Sequence, residues 1–298
     1  MPLAPVNGIS LYYEVKGSGS PLVLVHGFAG GLRLWDPQVR AFAPRRRVVT
    51  YDVRGHGLSD APAAAAYSQP TSVADLRGLL EHLKIKRAVL GGLSMGGNIA
   101  LNFAIAHPDM VSGLIIADTG AGSDGTAEWV AGAHAFAEVL ERQGLEAFAD
   151  MALANPLFAR YLAQGPEAAR FIRSCLMTHR AHGIAHTARE VLAKRPTIYA
   201  LEAELRRLRV PTLLIVGEHD EPCLKVHRFM GDTIPGAKHV LLRGVGHLTN
   251  LEAPAAFNAA VRAFLSRRGA PAPLPNLPRE GGRRRSRRSK REHRTDRP

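Results

Sequence analysis

The sequence predicts an α/β protein in which a mostly parallel, doubly wound sheet is interrupted by an inserted block of helices. Two observations predict this. At both ends of the chain, short apolar or β-branched runs alternate with stretches of helical periodicity, as expected of a parallel sheet covered on both faces. Between Gly122 and Arg209 the alternation stops: the sequence is Ala-rich, with Glu, Arg and scattered large apolar residues, and holds no convincing strand. At 298 residues and 46% hydrophobic content, the chain has ample apolar surface for one large core, which excludes a short peptide and a wholly disordered protein.

In chain order, Ile9 to Val15 reads as a strand, and Gly17-Ser18-Gly19-Ser20-Pro21 turns the chain into the apolar run Leu22 to Val25. That pair suggests an antiparallel edge beside a buried sheet. Further strands are expected at Arg47 to Tyr51, Ala88 to Leu90, Leu114 to Ile116, Thr212 to Val216 and Val240 to Leu242. Ser72 with Asp75 resembles a capping box ahead of a helix with Val73, Leu76, Leu80 and Leu83 on one face. A second helix runs from Ile99 to Ala106 until Pro108, and a last one carries Phe257, Val261, Phe264 and Leu265 after Pro254. The expected division is core over 1–121, helical cap over 122–209, core again over 210–268, and a disordered basic tail over 269–298. The tail holds 10 basic and 3 acidic residues, about half of the formal net charge of +13, with four early prolines and no aromatic residue, so it cannot bury enough surface to fold alone.

Only Cys175 and Cys223 are present, far apart and without metal-type spacing, which argues against a disulfide framework or a zinc site. The N-terminus has neither a basic nor an apolar leader segment, and no apolar run is long enough to span a bilayer. A cytoplasmic protein without a membrane span is expected.

The sharpest chemical signal is Gly92-Leu93-Ser94-Met95-Gly96, between an expected strand and an expected helix. Small residues on both sides let a serine occupy a strained, exposed turn at the sheet's edge, with the helix N-terminus aimed at it. A serine needs a base and an acid, which follow it in chain order. Asp220 comes after the strand Thr212 to Val216, and His247, flanked by Gly244 and Gly246, after the strand Val240 to Leu242. Asp118, which also ends a strand, and Glu218 compete with Asp220 as the acid. Oxyanion donors are expected at the backbone N–H groups of Met95 and of Phe28 in the loop His26-Gly27-Phe28, with His26 buttressing that loop rather than transferring protons.

Together with Asp52-Val53-Arg54-Gly55-His56-Gly57-Leu58-Ser59, these segments resemble the α/β-hydrolase superfamily over about Ile9 to Leu265, strongly in the sheet halves and weakly in the insert. The resemblance implies the α/β-hydrolase fold, a helical cap over 122–209, and a shaping rather than catalytic role for the Asp52 to Ser59 loop. Ser at position 94 departs from the Asp nucleophile of haloalkane dehalogenases and epoxide hydrolases, and Phe28 after His26-Gly27 departs from the glycine run of one lipase and esterase branch. The Gly-Leu-Ser-Met-Gly-Gly form is similar to carboxylesterases, enol-lactonases and cofactor-free haloperoxidases or perhydrolases.

The expected activity is hydrolysis of a small carboxylic ester or lactone through an acyl-enzyme, with Ser94, Asp220 and His247 catalytic and no cofactor or metal. Perhydrolysis, C–C bond hydrolysis on the same triad and non-catalytic ligand binding are the alternatives. His179, His182 and His186 invite a metal reading, but no carboxylate or cysteine completes a ligand set at suitable spacing, so a polar cap face or a substrate-facing histidine is expected. The Arg-rich tail offers weak, nonspecific attraction to phosphates, and no specific nucleic-acid partner is expected.

Overall fold

The computed structural model describes residues 1–122 and 127–266. Eight strands form one sheet: β1 (Leu3–Val6), β2 (Ile9–Lys16), β3 (Pro21–Val25), β4 (Arg47–Tyr51), β5 (Ala88–Leu93), β6 (Val111–Ala117), β7 (Thr212–Gly217) and β8 (Lys238–Leu242). Their order is β1-β2-β4-β3-β5-β6-β7-β8. From β4 to β8 all neighbours are parallel, while β1 and β2 form an antiparallel margin.

Two details differ from expectation. The strand at Ile9 pairs with β4 and with the unexpected β1, not with β3, which lies between β4 and β5. Pro5 hides β1 in the sequence; a proline lacks the ladder donor and is tolerated only at such an edge. The helix expected to start at Ser72 starts at Gln69, with Ser68 accepting the Thr71 N–H and Pro70 in its first turn. Ser72 and Asp75 are therefore inside the helix and buried, and Asp75 instead receives a two-pronged ion pair from Arg54 at 2.6 and 2.8 Å. Removing either partner would strand a buried charge.

Side chains alternate along the central strands between two apolar layers. Val23, Val25, Leu90, Leu114, Ile116 and Leu214 join one cluster with Leu76, Leu80, Ile99 and Phe103. Leu22, Leu24, Val89, Ile115, Leu213 and Ile215 join another with Trp35, Phe42, Phe257 and Val261. Helices Gln69–His82, Met95–Ala106 and Glu221–Thr233 supply residues to the first layer, and Asp36–Phe42 and Pro254–Ser266 to the second. This two-sided burial explains why the strands read as continuous apolar runs.

Among the described residues, the chain between β6 and β7 is helical. Its main helices are Ala127–Arg142, Gly144–Leu153, Pro166–Leu176 and a run from Ala181 to Leu192. Its inward residues Ala137, Phe148, Ile172, Leu176 and Ile184 merge with the second layer. No helix among the described residues is long and apolar enough to cross a membrane. The basic tail expected at 269–298 lies outside the described residues.

Candidate active site

Because the six strands from β4 to β8 are parallel, their C-terminal ends share one edge, where open α/β sheets bind ligands. β5 runs through both glycines to Leu93, and Ser94 stands at the start of the helix Met95–Ala106 with φ 55 and ψ −117. This conformation is costly for a residue with a Cβ and persists only when its surroundings enforce it. The surroundings are close: a Cβ on Gly92 would run into the Gly96 carbonyl, and one on Gly96 into the carbonyl oxygens of Val25 and His26. The Ser94 N–H is tied to the Ala117 carbonyl of β6 at 2.9 Å.

His247 Nδ1 and Asp220 Oδ2 are 2.9 Å apart, with Asp220 fully buried. Asp118, the competing acid, does not bond the imidazole. Its Oδ1 accepts the Gly217 N–H at 3.0 Å, and its Oδ2 accepts the N–H and hydroxyl of Thr249. It thus clips the loop that bears Asp220 to the loop that bears His247. Glu218, the other competitor, is exposed and accepts the Gly244 N–H at 2.8 Å. Glu252, which the sequence reading did not single out, accepts the N–H groups on either side of the histidine, from Gly246 at 2.6 Å and Leu248 at 3.0 Å. Its only sequence signal is its place five residues beyond His247.

These carboxylates set the proton affinities. Burial works against an imidazolium at His247, but the charge and hydrogen bond of Asp220, backed by Asp118 and Glu252, outweigh it and raise its pKa above the ordinary histidine value. Burial also opposes ionisation of Asp220, yet His247, by charge and hydrogen bond, holds its pKa below the usual aspartate value. Asp118 goes the other way, raised by burial and by the neighbouring Asp220 charge.

Asp220, Cys223 and His247 are the one cluster of metal-type donors found among the described residues, with ligand atoms within 4.8 Å of one another. Its chemistry does not suit a metal. The imidazole nitrogen is engaged by Asp220, and burial and the Asp220 charge push the Cys223 thiol far up in pKa, so the thiolate a metal needs is disfavoured. Both cysteines are free.

The loop after β3 behaves as a buttressed turn. His26 Nδ1 donates to the Gly27 carbonyl at 2.8 Å, while its Nε2 accepts the Val53 N–H at 2.9 Å. Burial lowers the His26 pKa to about 3, so the ring is a neutral strut at ordinary pH. Asp52, in the shaping loop, accepts the Leu32 and Leu58 N–H groups at 2.9 Å each.

Ser94, His247, Gly27, Phe28 and Met95 all line a cavity of about 310 Å³. The opposite wall comes from the insert, with Trp129, Phe136, Phe148, Phe158, Leu176 and Leu192. Phe28 stacks on Phe136 with ring centroids 6.0 Å apart, joining the two walls. Such a site, apolar with a few converging polar groups, suits a small molecule with an apolar body and one reactive polar function.

Over most of its length the chain is similar to known hydrolases. The chain resembles the crystal structure of an enol-lactonase from Burkholderia xenovorans LB400, with a TM-score of 0.79 and 32% identity over 89% of this chain and 100% of that one. It resembles a thermophilic esterase from Thermogutta terrifontis at a TM-score of 0.77 and 32% identity, covering 88% of this chain and 96% of that one. The 3-oxoadipate enol-lactonase 2 of Acinetobacter baylyi is 29% identical over 263 residues, 87% of this chain and 94% of that protein. A model of the alpha/beta hydrolase fold matches residues 20–254, and with that span added to the sheet order and the strained turn at Ser94, the chain belongs to the alpha/beta hydrolase family.

Proposed function

We propose that the protein hydrolyses small carboxylic esters or lactones through an acyl-enzyme formed on Ser94. The observation that carries the reading is the His247 to Asp220 hydrogen bond beside a cavity that Ser94 enters from a strained turn. Neutral His247, with Nδ1–H donated to Asp220, presents Nε2 as the base that takes the Ser94 proton as Oγ attacks the carbonyl carbon. Asp220 holds the ring in that tautomer and stabilises the imidazolium that results.

The negative oxygen of the tetrahedral intermediate is met by the N–H groups of Phe28 and Met95. Met95 opens its helix, so its N–H has no acceptor one turn back. The Gly27–Phe28 peptide is trans, and its carbonyl is held by His26 and by the Gly30 N–H at 3.1 Å. The Phe28 N–H therefore points the opposite way, from a residue that lines the cavity with Ser94. Collapse of the intermediate expels the alcohol, protonated by His247. Water, deprotonated by the same base, then attacks the acyl-enzyme, and the acid and Ser94 are released.

The test is hydrolysis of p-nitrophenyl esters of increasing acyl length, with Ser94→Ala in parallel. The expected result is turnover with a chain-length optimum, reduced about a millionfold in Ser94→Ala. Activity that survives the substitution, or a wild-type protein inert on every ester and lactone, would sink the reading.

A further inference from the structure

None of the three insert histidines that invite a metal reading lines the cavity. All three cross to backbone groups of the sheet half. His182 Nε2 lies 3.1 Å from the Ala61 carbonyl, and His186 Nδ1 3.2 Å from the Pro62 carbonyl. His179 goes deeper. Its Nδ1 accepts the Gly57 N–H at 2.7 Å, which leaves the proton on Nε2, and Nε2 donates to the Ala29 carbonyl at 3.0 Å. The ring is 6% exposed, and burial lowers its pKa to about 4, so this neutral tautomer persists at ordinary pH.

Ala29 follows Phe28, and it has φ 52, a left-handed conformation that a residue with a Cβ adopts only under constraint. Both of its backbone groups are held by imidazoles: the N–H by His56 Nε2 at 3.2 Å, the carbonyl by His179. His56 is fixed in turn by donating from Nδ1 to the Arg54 carbonyl at 3.0 Å. The rings of His26, His56 and His179 follow one another in a column, the first pair tilted by 55° and the second edge-on at 80°, with centroids 5.0 and 5.4 Å apart. Two members of this column come from the sheet half and the third from the insert.

We propose that His179 is a positioning residue through which the insert holds the Phe28–Ala29 turn, and with it the Phe28 N–H, in line with Ser94. The proposal rests on the reading of Phe28 as an oxyanion donor. The insert would then do more than wall the cavity: it would supply one of the struts of the polar half of the site. The two hydrogen bonds of His179 can be removed separately. Glutamine reaches the Nε2 position and keeps a donor for Ala29; asparagine reaches the Nδ1 position and keeps an acceptor for Gly57.

The experiment compares His179→Ala, His179→Asn and His179→Gln on p-nitrophenyl butyrate, with melting temperatures alongside. A fluorophosphonate provides a second readout, since its reaction with Ser94 needs the oxyanion donors but no particular acyl group. The expected result is a fall in kcat of roughly tenfold to a hundredfold for His179→Ala, short of the ~10²–10³ loss when such a donor is removed outright. KM should stay within about threefold, and the phosphonylation rate should fall in step with kcat. His179→Gln should recover most of the loss and His179→Asn little of it, even where the two melt at the same temperature. Rates equal to wild type in all three variants, or losses that follow melting temperature without regard to which bond is kept, would overturn the proposal. If the wild type labels at Ser94 yet hydrolyses no ester, the ester reading fails and the ranking is read from labelling rates. If the wild type does not label, both fail.

Discussion

On the sheet side of the cavity, the loops around the reactive groups are fixed by buried or half-buried polar contacts: Asp118 on Gly217 and Thr249, Glu252 on Gly246 and Leu248, His26 on Gly27 and Val53. On the insert side, the wall is mostly aromatic and aliphatic, with Glu128, Asn155 and Arg195 among it, and the outer faces of its helices carry exposed ion pairs such as Arg142 with Glu138. Hydrogen bonds to buried groups are directional, and removing one partner leaves an unsatisfied atom. Apolar contacts tolerate exchange as long as volume is kept. Geometry for chemistry therefore resides in the sheet half, and tolerance for different substrates in the insert. His179 is the most deeply buried of the three histidines by which the directional kind of contact crosses into the insert.

The contrast predicts a graded series. The largest effect belongs to Asp220→Asn, which places the wrong tautomer at His247 and should lower kcat by about 10⁴-fold with the fold intact. The pH profile sharpens this prediction. The base must be neutral and its pKa is raised, so wild-type kcat/KM should rise with pH through a midpoint above 6.5; in Asp220→Asn that midpoint should move down. An unmoved midpoint would mean that another group titrates.

Gly96→Ala should come next, costing about 3 kcal/mol in urea unfolding, because its Cβ meets backbone carbonyls that cannot turn aside. A well-folded Gly96→Ala protein would break the claim that the turn is sterically locked.

Counted for a single group over one pH unit, a smaller effect concerns acid. His26, His179, His227 and His239 are pushed down to between about 3 and 4, chiefly by burial. The unfolded chain, with histidines near 6.5, binds protons that the folded chain refuses. Stability should fall as pH drops from 6.5 toward 4, by on the order of 1 kcal/mol per pH unit for each such histidine. His247 has the opposite sign, its contribution being full below 6.5 and lost as pH rises through its raised value. Melting temperature measured against pH should therefore peak near 6.5; a curve still rising at lower pH would contradict the neutral struts.

The smallest effect lies in the insert wall. Phe158→Ala should raise KM for medium-chain esters about fivefold with kcat within twofold, since an apolar wall contributes binding rather than chemistry. A collapse of kcat there would erase the distinction between the two sides.

What the sequence made legible follows the same division. Ser94 stands out because backbone segments approach closely beside it and only glycine permits the approach, and His247 because it follows an expected strand between two glycines, of which Gly244 takes a positive φ. The alternating halves of the sheet stand out because burial on both faces leaves continuous apolar strands. Pairing is less visible: that β2 lies beside β4 rather than β3 depends on a contact distant in sequence, and Pro5 disguises β1. The choice between Asp118 and Asp220 turns on which carboxylate has already been taken by Gly217 and Thr249. The role of His179 left no trace, because its partners are a backbone N–H and a backbone carbonyl more than a hundred residues away, groups that nearly every residue possesses.

The insert leaves the sheet at the end of β6 and returns at the start of β7, and these strands are direct neighbours, with Leu114 opposite Thr212. Because the two strands are parallel, these ends lie at opposite edges of the sheet, yet the ladder fixes the span between them whatever the intervening chain does. Closing such an excursion costs only about 0.6 kcal/mol more for each doubling of its length. A lineage can therefore lengthen, shorten or exchange this segment by recombination at little thermodynamic penalty, so that new substrate ranges arise by insertion and deletion while the strands, and the reactive groups at their tips, are inherited unchanged.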